Sequence, residues 1–569
     1  MHYLGLGKTL FNSSACLITS NGHRPQIELV LSERVNRNKA SGVWPEQALR
    51  SILPQLTGTR PAIAENRDVI TPAQHEAILD RAFPFYEHLG TRSLAPFSSR
   101  NPEIRFVTHH RCHAMAALAM SPFRKSIILV IDGAGTRASD FNPEHPEAGI
   151  HLPKQTDGGS HALEACSVYL QEAGTLRCVE KFWQHFKPST RAPGHHFSEG
   201  LGTLYEKSAE YIFACKRSAG KVMGLAGFGR PHEIGDRRAF LEELHWNRAF
   251  QGKGKREWEA CAEFELFTNL AASVQGHFEQ SLLSLGRRLR ETYPDFENLI
   301  FTGGCALNCT ANMKLVKNGF FSEIYVPPFP GDESIGLGAA SSLYHSDPAN
   351  VWEPFCHENQ QGYFGPRSSI PADETVENVF VGFDVSRPTS ITEHCAQLLE
   401  EGKVIGWFQG RSESGPRALG NRSILARPDR PGLKDHLNRS IKFRESFRPY
   451  GCSCTHDVSH RYFNITPGFN APYMSFAATT RPQYQEMLKE VTHVDGTSRM
   501  QTVRPGQNPL FHELLQAFGR RTGLFCLLNT SLNVMGEPIV ETVLDARKFL
   551  SETPVDGMAI GAFYIRKQG

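Results

Sequence analysis

The sequence lacks several features that would place the protein outside the soluble globular class. No apolar run approaches the roughly 18 residues that a membrane-spanning helix needs, so no membrane association is expected. The first residues, MHYLGLGKTLFNSSACLI, contain no basic segment followed by an apolar one, so no secretion signal is expected. The formal net charge is only +2, which argues against a nucleic-acid partner but leaves room for a local basic pocket.

Paired cysteine motifs are also missing. The chain has 13 cysteines, an odd number, and none of them forms a CxxC pair. This pattern favours reduced, mostly buried thiols and therefore a cytoplasmic location. There is no repeat of short period and no low-complexity tract. The length of 569 residues predicts two or three hydrophobic cores.

Two sets of strand-like segments organise the N-terminal part. The first set is YLGLG, SACLITS and IELVLSERV, and the second is SIILVIDGAG, ACSVYLQ and TLRCVEKFW. Each set predicts a β-meander, and two meanders followed by helices fit a duplicated actin-like or ribonuclease-H-like core with a nucleotide between its halves. The polar segment from Ser139 to Ser160 predicts a long loop on the second hairpin.

A domain change is predicted after residue 350. The segment up to that point contains NLIFTGGCALN, an apolar strand running into two glycines, and PGDESIGLGAASSLYH, a loop opening a small-residue helix. Residues 351–375 are rich in proline, glycine, asparagine and serine, which predicts a linker or arm. Beyond it, the helix ITEHCAQLLEEG and the strand KVIGWFQG begin a new domain, 376–569.

Histidines at the start of an alanine-rich segment, VTHHRCHAMAALA, form the first candidate site. His109 and His113 are four residues apart, so on a helix both imidazoles project from one face. The apolar residues that follow indicate a buried helix, and buried histidines need partners. Two simply hydrogen-bonded histidines are the alternative interpretation. His110 projects elsewhere, either as a substrate contact or as a capping side chain.

Two carboxylates occupy suitable positions for the same site. Asp132 ends the apolar run IILVID, and Asp332 lies in PGDES at the start of a helix. Two imidazoles and two carboxylates suit a divalent transition metal such as iron, manganese or zinc. The HxxxH pattern lacks the glutamate of HExxH, which disfavours a zinc protease.

The second candidate site is rich in arginine. Its cationic residues lie among glycines, serines and prolines in GRSESGPRALGNRS and HLNRSIKFRESFRPY, and they are Arg411, Arg417, Arg422, Lys442, Arg444 and Arg448. Cations held in such turns predict a rigid cradle for phosphate or carboxylate groups, with a solvated basic face as the alternative. Downstream, FCLLNTSLNVMGEPIV predicts a buried strand whose end carries polar groups suited to a small planar substrate, namely Asn529, Thr530, Ser531 and Asn533.

These strings, with GTLYEKSAEY, GKVMGLAGFG and APYM, occur in an order that resembles the ATP-dependent carbamoyltransferases, the family of nodulation protein U and of the cephalosporin hydroxymethyl and tobramycin carbamoyltransferases. The resemblance covers nearly the whole chain, and GPRALGNRS with NTS and GEPIV is its most specific part. It implies an actin-like N-terminal domain, 1–350, and a YrdC-like twisted α/β domain, 376–569. It also implies an enzyme that makes carbamoyl-adenylate from carbamoyl phosphate and ATP–Mg²⁺, then carbamoylates a small natural product.

The resemblance also implies site residues. The metal ligands would be His109, His113, Asp132 and Asp332, with Fe²⁺ as the expected ion and other divalent metals as alternatives. The carbamoyl phosphate site would be Arg417, Lys442, Arg448, Asn529 and Ser531, with Arg417 also catalytic. The nucleotide pocket of the N-terminal domain would be lined by Lys221, Gly303, Gly304 and Asn308. The oligomeric state is left open, with a homodimer as one option.

One position departs from the family pattern. The family carries a His-Asp pair at the first β-turn, whose histidine is the expected general base, and here Phe11 and Asn12 stand there. Phenylalanine cannot accept a proton, so His110 is the candidate replacement, or the acceptor is an amine that needs no strong base. Two other functions therefore stay open: a threonylcarbamoyl-tRNA-type enzyme, and a nucleotide-binding protein that has lost transfer activity.

Overall fold

The computed structural model describes residues 1–9, 12–20, 25–42, 44–56, 61–67, 104–141, 147, 150, 162–248, 257–351, 362–366 and 375–568. The chain divides into two compact units: Met1–Gly252 with Asn269–Cys356, and Lys253–Thr268 with His357–Gly569. We call these the first and second units. Most of the predicted loop at 139–160 and of the predicted linker at 351–375 lies outside the described residues.

The first unit begins with a five-stranded sheet. Buried residues follow one another almost without interruption along its first three strands, so both faces of these strands are covered. Its strands are β1 (His2–Lys8), β2 (Ser13–Thr19), β3 (Gln26–Leu31), β4 (Ala62–Arg67) and β5 (Ile104–Thr108). The order is β3-β2-β1-β4-β5, in which the first three strands form an antiparallel meander. Strands β4 and β5 continue the sheet in parallel on the other side of β1.

The second sheet of this unit repeats the same plan. Its strands are β6 (Lys125–Ile131), β7 (Leu163–Glu172), β8 (Thr175–Gln184), β11 (Asn298–Thr302) and β12 (Glu323–Tyr325), and the short β9 (Lys187–Pro188) and β10 (His196–Phe197) pair separately. The order is β12-β11-β6-β7-β8. Strands β6, β7 and β8 form an antiparallel meander, and β11 and β12 continue the sheet in parallel on the other side of β6. The predicted duplicated ribonuclease-H-like, actin-like fold is therefore confirmed.

Helices surround and connect these sheets. Those of the first unit are α1 (Ser32–Asn36), α2 (Glu46–Ile52), α3 (His109–Met120), α4 (Leu201–Phe213), α5 (Ala219–Ala226), α6 (Arg237–Glu243), most of α7 (Phe264–Thr292), α8 (Cys309–Asn318) and α9 (Ile335–Ser346). The first turn of α7 belongs to the second unit. Among helices of the described ranges, none combines the length and the apolarity needed to cross a bilayer.

Helix α9 lies against both β1 and α3, and its small residues make this approach possible. A Cβ atom added at Gly338 would collide with the carbonyl oxygen of Cys112 in α3, and one added at Gly5 would collide with the backbone of Gly336. This close packing holds the start of α9, just after Asp332, beside the start of α3, which carries His109.

The second unit is built on a nine-stranded mixed sheet within the described residues. Its strands are β13 (Phe383–Ser386), β14 (Ile405–Phe408), β15 (Arg422–Ala426), β16 (Gly451–Thr455), β17 (Phe476–Thr479), β18 (Thr497–Val503), β19 (Cys526–Ser531), β20 (Gly557–Ile560) and β21 (Phe563–Lys567). The order is β13-β21-β20-β14-β15-β19-β16-β18-β17. This α/β architecture agrees with the predicted YrdC-like class.

Helices of the second unit complete its layers, and they are α10 (Val376–Val379), α11 (Ile391–Glu400), α12 (Leu433–His436), α13 (Ser459–Tyr462), α14 (Pro509–Thr522) and α15 (Val543–Glu552). Helix α11 packs on α14, and its buried residues lie on one face at helical spacing. The described part of the predicted linker is ordered within this unit, because Tyr363 and Phe364 are buried and Arg411 donates hydrogen bonds to the carbonyls of Phe364 and Gly365.

We expect Gly338→Ala to lower the free energy of unfolding of the first unit by about 2 kcal/mol or more, because the new methyl group overpacks the contact between α9 and α3. Gly276→Ala is the matched control, since a Cβ there meets only Pro231, at 3.7 Å, within a long helix. That variant is expected to gain about 0.5–1 kcal/mol. Urea unfolding followed by circular dichroism measures both, and equal effects would contradict the packing described.

Candidate metal centre and anion-binding site

The first turn of α3 presents two imidazoles to one point. His109 and His113 are 2% and 0% exposed, and their Nε2 atoms lie 3.1 Å apart. The spacing of four residues places both rings on one face, as the sequence predicts. The ring of His113 is also oriented from behind, because its Nδ1 lies 3.1 Å from the hydroxyl of Ser334. That contact turns its Nε2 toward His109.

Asp132 follows β6 directly and meets both rings. Its Oδ2 lies 3.1 Å from Nε2 of His109 and 2.9 Å from Nε2 of His113. The other oxygen accepts a hydrogen bond of 2.7 Å from the backbone N–H of Gly133. A Cβ atom at Gly304 would lie 2.9 Å from Oδ1 of Asp132. The absence of a side chain at Gly304 therefore leaves room for the carboxylate.

Asp332 approaches from the turn before α9. Its Oδ1 lies 3.5 Å from Nε2 of His109 and 3.7 Å from Nε2 of His113. The four ligand atoms of His109, His113, Asp132 and Asp332 all lie within 4.8 Å of one another. The structure thus brings together residues from three separate segments of the sequence.

These separations fit a shared metal ion. Two ligands at about 2.1 Å from one ion and at right angles to each other are about 3.0 Å apart. The distances among His109, His113 and Asp132 are between 2.9 and 3.1 Å, which matches that geometry. Two imidazoles and two carboxylates are a donor set for a divalent transition metal, with Fe²⁺, Mn²⁺ and Zn²⁺ all compatible.

The electrostatics of the carboxylates point the same way. Burial alone would raise the pKa of Asp132, but the hydrogen bonds from His109 and His113 outweigh it and hold that pKa well below its usual range. Burial raises the pKa of Asp332, and the negative charge of Asp132 raises it further. The two histidines lower this pKa, but by less. A bound cation would remove the conflict between the two carboxylates.

His110 lies apart from this cluster of ligands. Its side chain is fully buried, and its Nδ1 lies 2.8 Å from the hydroxyl of Ser167 on β7. Burial lowers the pKa of His110 to about 3, which makes the ring a weak proton acceptor. The general-base role of His110 stays a prediction that this pKa does not favour. Phe11, which prompted it, lies outside the described residues, whereas Asn12 is described.

The predicted nucleotide residues lie in two places within the first unit. Gly303 directly follows β11 with a positive φ of 88°, and a side chain there would collide with the backbone of Ile131, so the turn requires glycine. Asn308 begins α8, where its side chain accepts from the N–H of Ala311 and bonds to Gln275. Lys221 lies on α5, half-buried, with its ammonium 5.1 Å from the ring centre of Phe213. Their nucleotide role stays a prediction.

In the second unit, Lys442 and Ser531 are brought together. The ammonium of Lys442 is buried and donates to the carbonyl of Ser531 at 2.7 Å and to its hydroxyl at 3.2 Å. It also donates to Asn533, at 2.6 Å to the side-chain oxygen. The backbone just after it is unusual, because Phe443 has φ 49° and is 46% exposed. Such strain in a bulky residue is typical of functional loops.

The arginines that look alike in the sequence divide into two groups. Arg422 is fully buried, lies 3.6 Å from the ring centre of Phe408, and donates to four backbone carbonyls, those of Gln409, Gly410, Asn421 and Glu541. Arg411 donates to the backbone of residues 364 and 365. Both guanidinium groups therefore support the fold, which corrects the prediction that they belong to the anion cradle.

Arg448 belongs to the other group. Burial and then the positive charge of Arg444 lower the pKa of Arg448 to about 10, and Arg499 adds to the repulsion. Only Glu445, 3.8 Å away, balances this charge among the ion pairs of the described residues. An excess of guanidinium groups in a partly buried position favours binding of an anion. Arg417 lies on the loop before β15, next to Ala418, whose carbonyl accepts from Asn529.

Asn529 is held by a network that sequence reasoning missed. Gln501 donates to the carbonyl of Leu419 at 2.9 Å, so its Oε1 accepts from Ser453 at 2.6 Å. The amide nitrogen of Asn529 donates to Ser453 at 2.8 Å and to Ala418 at 3.3 Å. Its Oδ1 is buried and has no hydrogen-bond partner in the described part of the chain. A buried acceptor of this kind is suited to a ligand that carries an N–H donor.

The division of the arginines leads to a prediction. We expect Arg422→Met to lower the free energy of unfolding of the second unit by about 3 kcal/mol or more, because it leaves buried carbonyls without donors. Arg448→Met is expected to leave stability within about 1 kcal/mol. It should instead weaken binding of inorganic phosphate at least tenfold, about 1.4 kcal/mol. Thermal unfolding and phosphate calorimetry test the pair, and the reverse ranking would contradict these assignments.

Two family models match this chain. Carbamoyltransferase C-terminus covers residues 396–567, and Carbamoyltransferase N-terminus covers residues 174–341. Among solved structures, that of T.kodakarensis HypF has a TM-score of 0.34 and 14% identity, over 60% of this chain and 47% of that chain. A likeness this low adds nothing to the fold derived from strand order.

Curated relatives match over greater lengths. The nodulation protein NolNO of Sinorhizobium fredii is 31% identical over 99% of this chain and 80% of its own length. The nodulation protein NolO of Bradyrhizobium diazoefficiens is 32% identical over 81% and 79%, respectively. The 3'-hydroxymethylcephem-O-carbamoyltransferase of Amycolatopsis lactamdurans is 32% identical over 62% and 65%. This chain therefore belongs to the carbamoyltransferase family.

Proposed function

We propose that this chain is an ATP-dependent carbamoyltransferase that takes its carbamoyl group from carbamoyl phosphate and transfers it to a small natural product. Water first splits carbamoyl phosphate into carbamate and inorganic phosphate. A carbamate oxygen then attacks the α-phosphorus of ATP–Mg²⁺, and pyrophosphate leaves carbamoyl-adenylate behind. An acceptor oxygen or nitrogen attacks the carbamoyl carbon, AMP leaves, and the acceptor's proton passes to a base.

The buried Oδ1 of Asn529, which has no hydrogen-bond partner among the described residues, supports this proposal most strongly. A carbamoyl group has an NH₂ that can donate to this oxygen, whereas an acetyl group of the same size cannot. The network of Ser453 and Gln501 fixes the amide orientation, so the acceptor faces a constant direction. A ligand that leaves a buried acceptor of the site without a donor is strongly disfavoured, which gives a basis for discrimination.

The phosphate end of the donor would bind to the cationic groups of the same unit. Lys442, which already contacts Ser531, supplies one buried charge, and Arg448 supplies a guanidinium that neighbouring arginines repel. We assign Arg417 to the same substrate because its loop contacts Asn529 through Ala418. One guanidinium group can donate to two phosphoryl oxygens at once, which fixes the orientation of the donor as well as binding it.

The transfer step is proposed for the first unit. His109, His113, Asp132 and Asp332 would hold the metal, which we propose to be Fe²⁺. When bound, such an ion polarises the acyl group and neutralises developing negative charge. Ser334 would keep Nε2 of His113 directed at the site. Gly303 and Gly304 would let a nucleotide phosphate approach this turn, with Lys221 and Asn308 further along the pocket.

The reaction is tested by mass spectrometry of the full chain with ¹³C-carbamoyl phosphate, ATP, Fe²⁺ and a panel of hydroxyl and amine acceptors. We expect AMP, pyrophosphate and a product carrying the ¹³C-carbamoyl group. ADP as the nucleotide product would contradict the adenylate route. Pyrophosphate release without a carbamoylated acceptor would indicate that only the first half of the chemistry remains, and a salt-sensitive tRNA shift would favour the threonylcarbamoyl-tRNA alternative.

Calorimetric titration of Asn529→Leu with carbamoyl phosphate and with acetyl phosphate tests how the donor is recognised. We expect this variant to bind carbamoyl phosphate about 10- to 100-fold more weakly, because the NH₂ group loses its acceptor. Its affinity for acetyl phosphate, which has no N–H to offer, should be unchanged. Arg448→Met is the matched comparison and should weaken the binding of carbamoyl phosphate and of acetyl phosphate by the same factor. An equal loss for the two donors in Asn529→Leu would contradict the role given to this oxygen.

A further inference from the structure

The helix that carries both histidines is capped by residues from another part of the chain. Thr108 is the N-cap residue of α3, but its side chain accepts no hydrogen bond from the backbone N–H groups of the first turn. Instead, the N–H of His109 donates to the hydroxyl of Thr136 at 2.8 Å. The N–H of His110 lies 3.4 Å from a carboxylate oxygen of Glu164. Both groups satisfy N–H donors that the first turn of a helix leaves free.

Thr136 belongs to the same turn as Asp132. That turn is clamped against β7, since Gly135 donates to the carbonyl of Glu164 at 2.8 Å and Glu164 donates to the carbonyl of Thr136 at 3.1 Å. The carboxylate of Glu164 also accepts from the N–H of Thr136 at 3.0 Å. One threonine hydroxyl therefore ties the turn that holds Asp132 to the helix that holds His109.

A buried lysine supports this clamp. Lys181 forms ion pairs with Glu164 and, at 2.7 Å, with Glu147, and all three side chains are buried. Glu147 reaches back to α3, where it accepts from Arg111 at 3.2 Å. Burial would raise the pKa of Glu164, but the charge of Lys181 outweighs it and lowers that pKa to about 2. The charges of these four residues cancel, and they connect β7 and β8 to the first turn of α3.

Buried ion pairs are weak contributors to stability, and an apolar core of equal volume would serve the fold as well. Their retention beside a site favours a role in fixing geometry. We propose that Thr136, clamped by Glu164 and Lys181, is a positioning residue of the proposed metal centre, which sets the two imidazoles of α3 in register with Asp132. This inference rests on the proposed function only in assuming that those side chains bind a metal.

Cobalt binding to the full chain tests this inference apart from activity. Thr136→Val removes the acceptor of the His109 N–H at nearly constant volume, and we expect it to weaken Co²⁺ binding at least tenfold and to change the d–d absorption of the bound ion. Thr136→Ser keeps the hydroxyl and should restore both. Thr392→Val is the matched control: Thr136 and Thr392 are each 1% exposed, and Thr392 donates to Glu513 in the second unit.

The outcomes separate this inference from the metal assignment. Absence of Co²⁺ binding by the unmutated chain would overturn both the metal centre and the positioning role. Wild-type affinity and spectrum in a folded Thr136→Val variant would overturn the positioning role alone. Should that variant fail to fold, Thr136→Ala takes its place and carries the same expectation. A loss of affinity in Thr392→Val equal to that in Thr136→Val would also overturn the proposal, since general destabilisation would then explain both.

Discussion

Two imidazole nitrogens 3.1 Å apart, with a carboxylate oxygen within 3.1 Å of both, form the arrangement on which the first unit depends. Three segments deliver these groups: α3, the turn after β6, and the turn before α9. Each segment is held close by small residues or by caps, as Gly338 and Thr136 show. Because close-packed interiors transmit small displacements, a change in this packing would also change the geometry of the site.

In the second unit, the proposed function requires cationic side chains that can bind a ligand. The guanidinium groups of Arg422 and Arg411 are occupied by backbone carbonyls. Arg448 is the clearest case, because the charges of Arg444 and Arg499 repel it and Glu445 offsets this only in part, at 3.8 Å. Asn529 adds a buried acceptor for which the described residues supply no hydrogen-bond partner. A substrate with an anionic end and an N–H end meets both requirements.

Much of the fold could be predicted from the sequence, because apolar runs bounded by glycine turns mark the two meanders. The convergence of His109 with Asp132 could be expected from helix periodicity and strand ends. The supporting residues could not: Thr136, Gln501 and Ser453 have ordinary local sequence, and their contacts depend on where distant strands place them. For the same reason, Arg422 and Arg448 could not be told apart by composition.

We propose that His109, His113, Asp132 and Asp332 of the first unit hold one metal ion. Crystals of the full chain loaded with Fe²⁺, measured on both sides of the iron absorption edge, test it most directly. We expect one anomalous peak about 2.0–2.2 Å from nitrogen atoms of His109 and His113 and from oxygen atoms of Asp132 and Asp332. Iron located elsewhere, or no peak at these residues in the loaded protein, would contradict it.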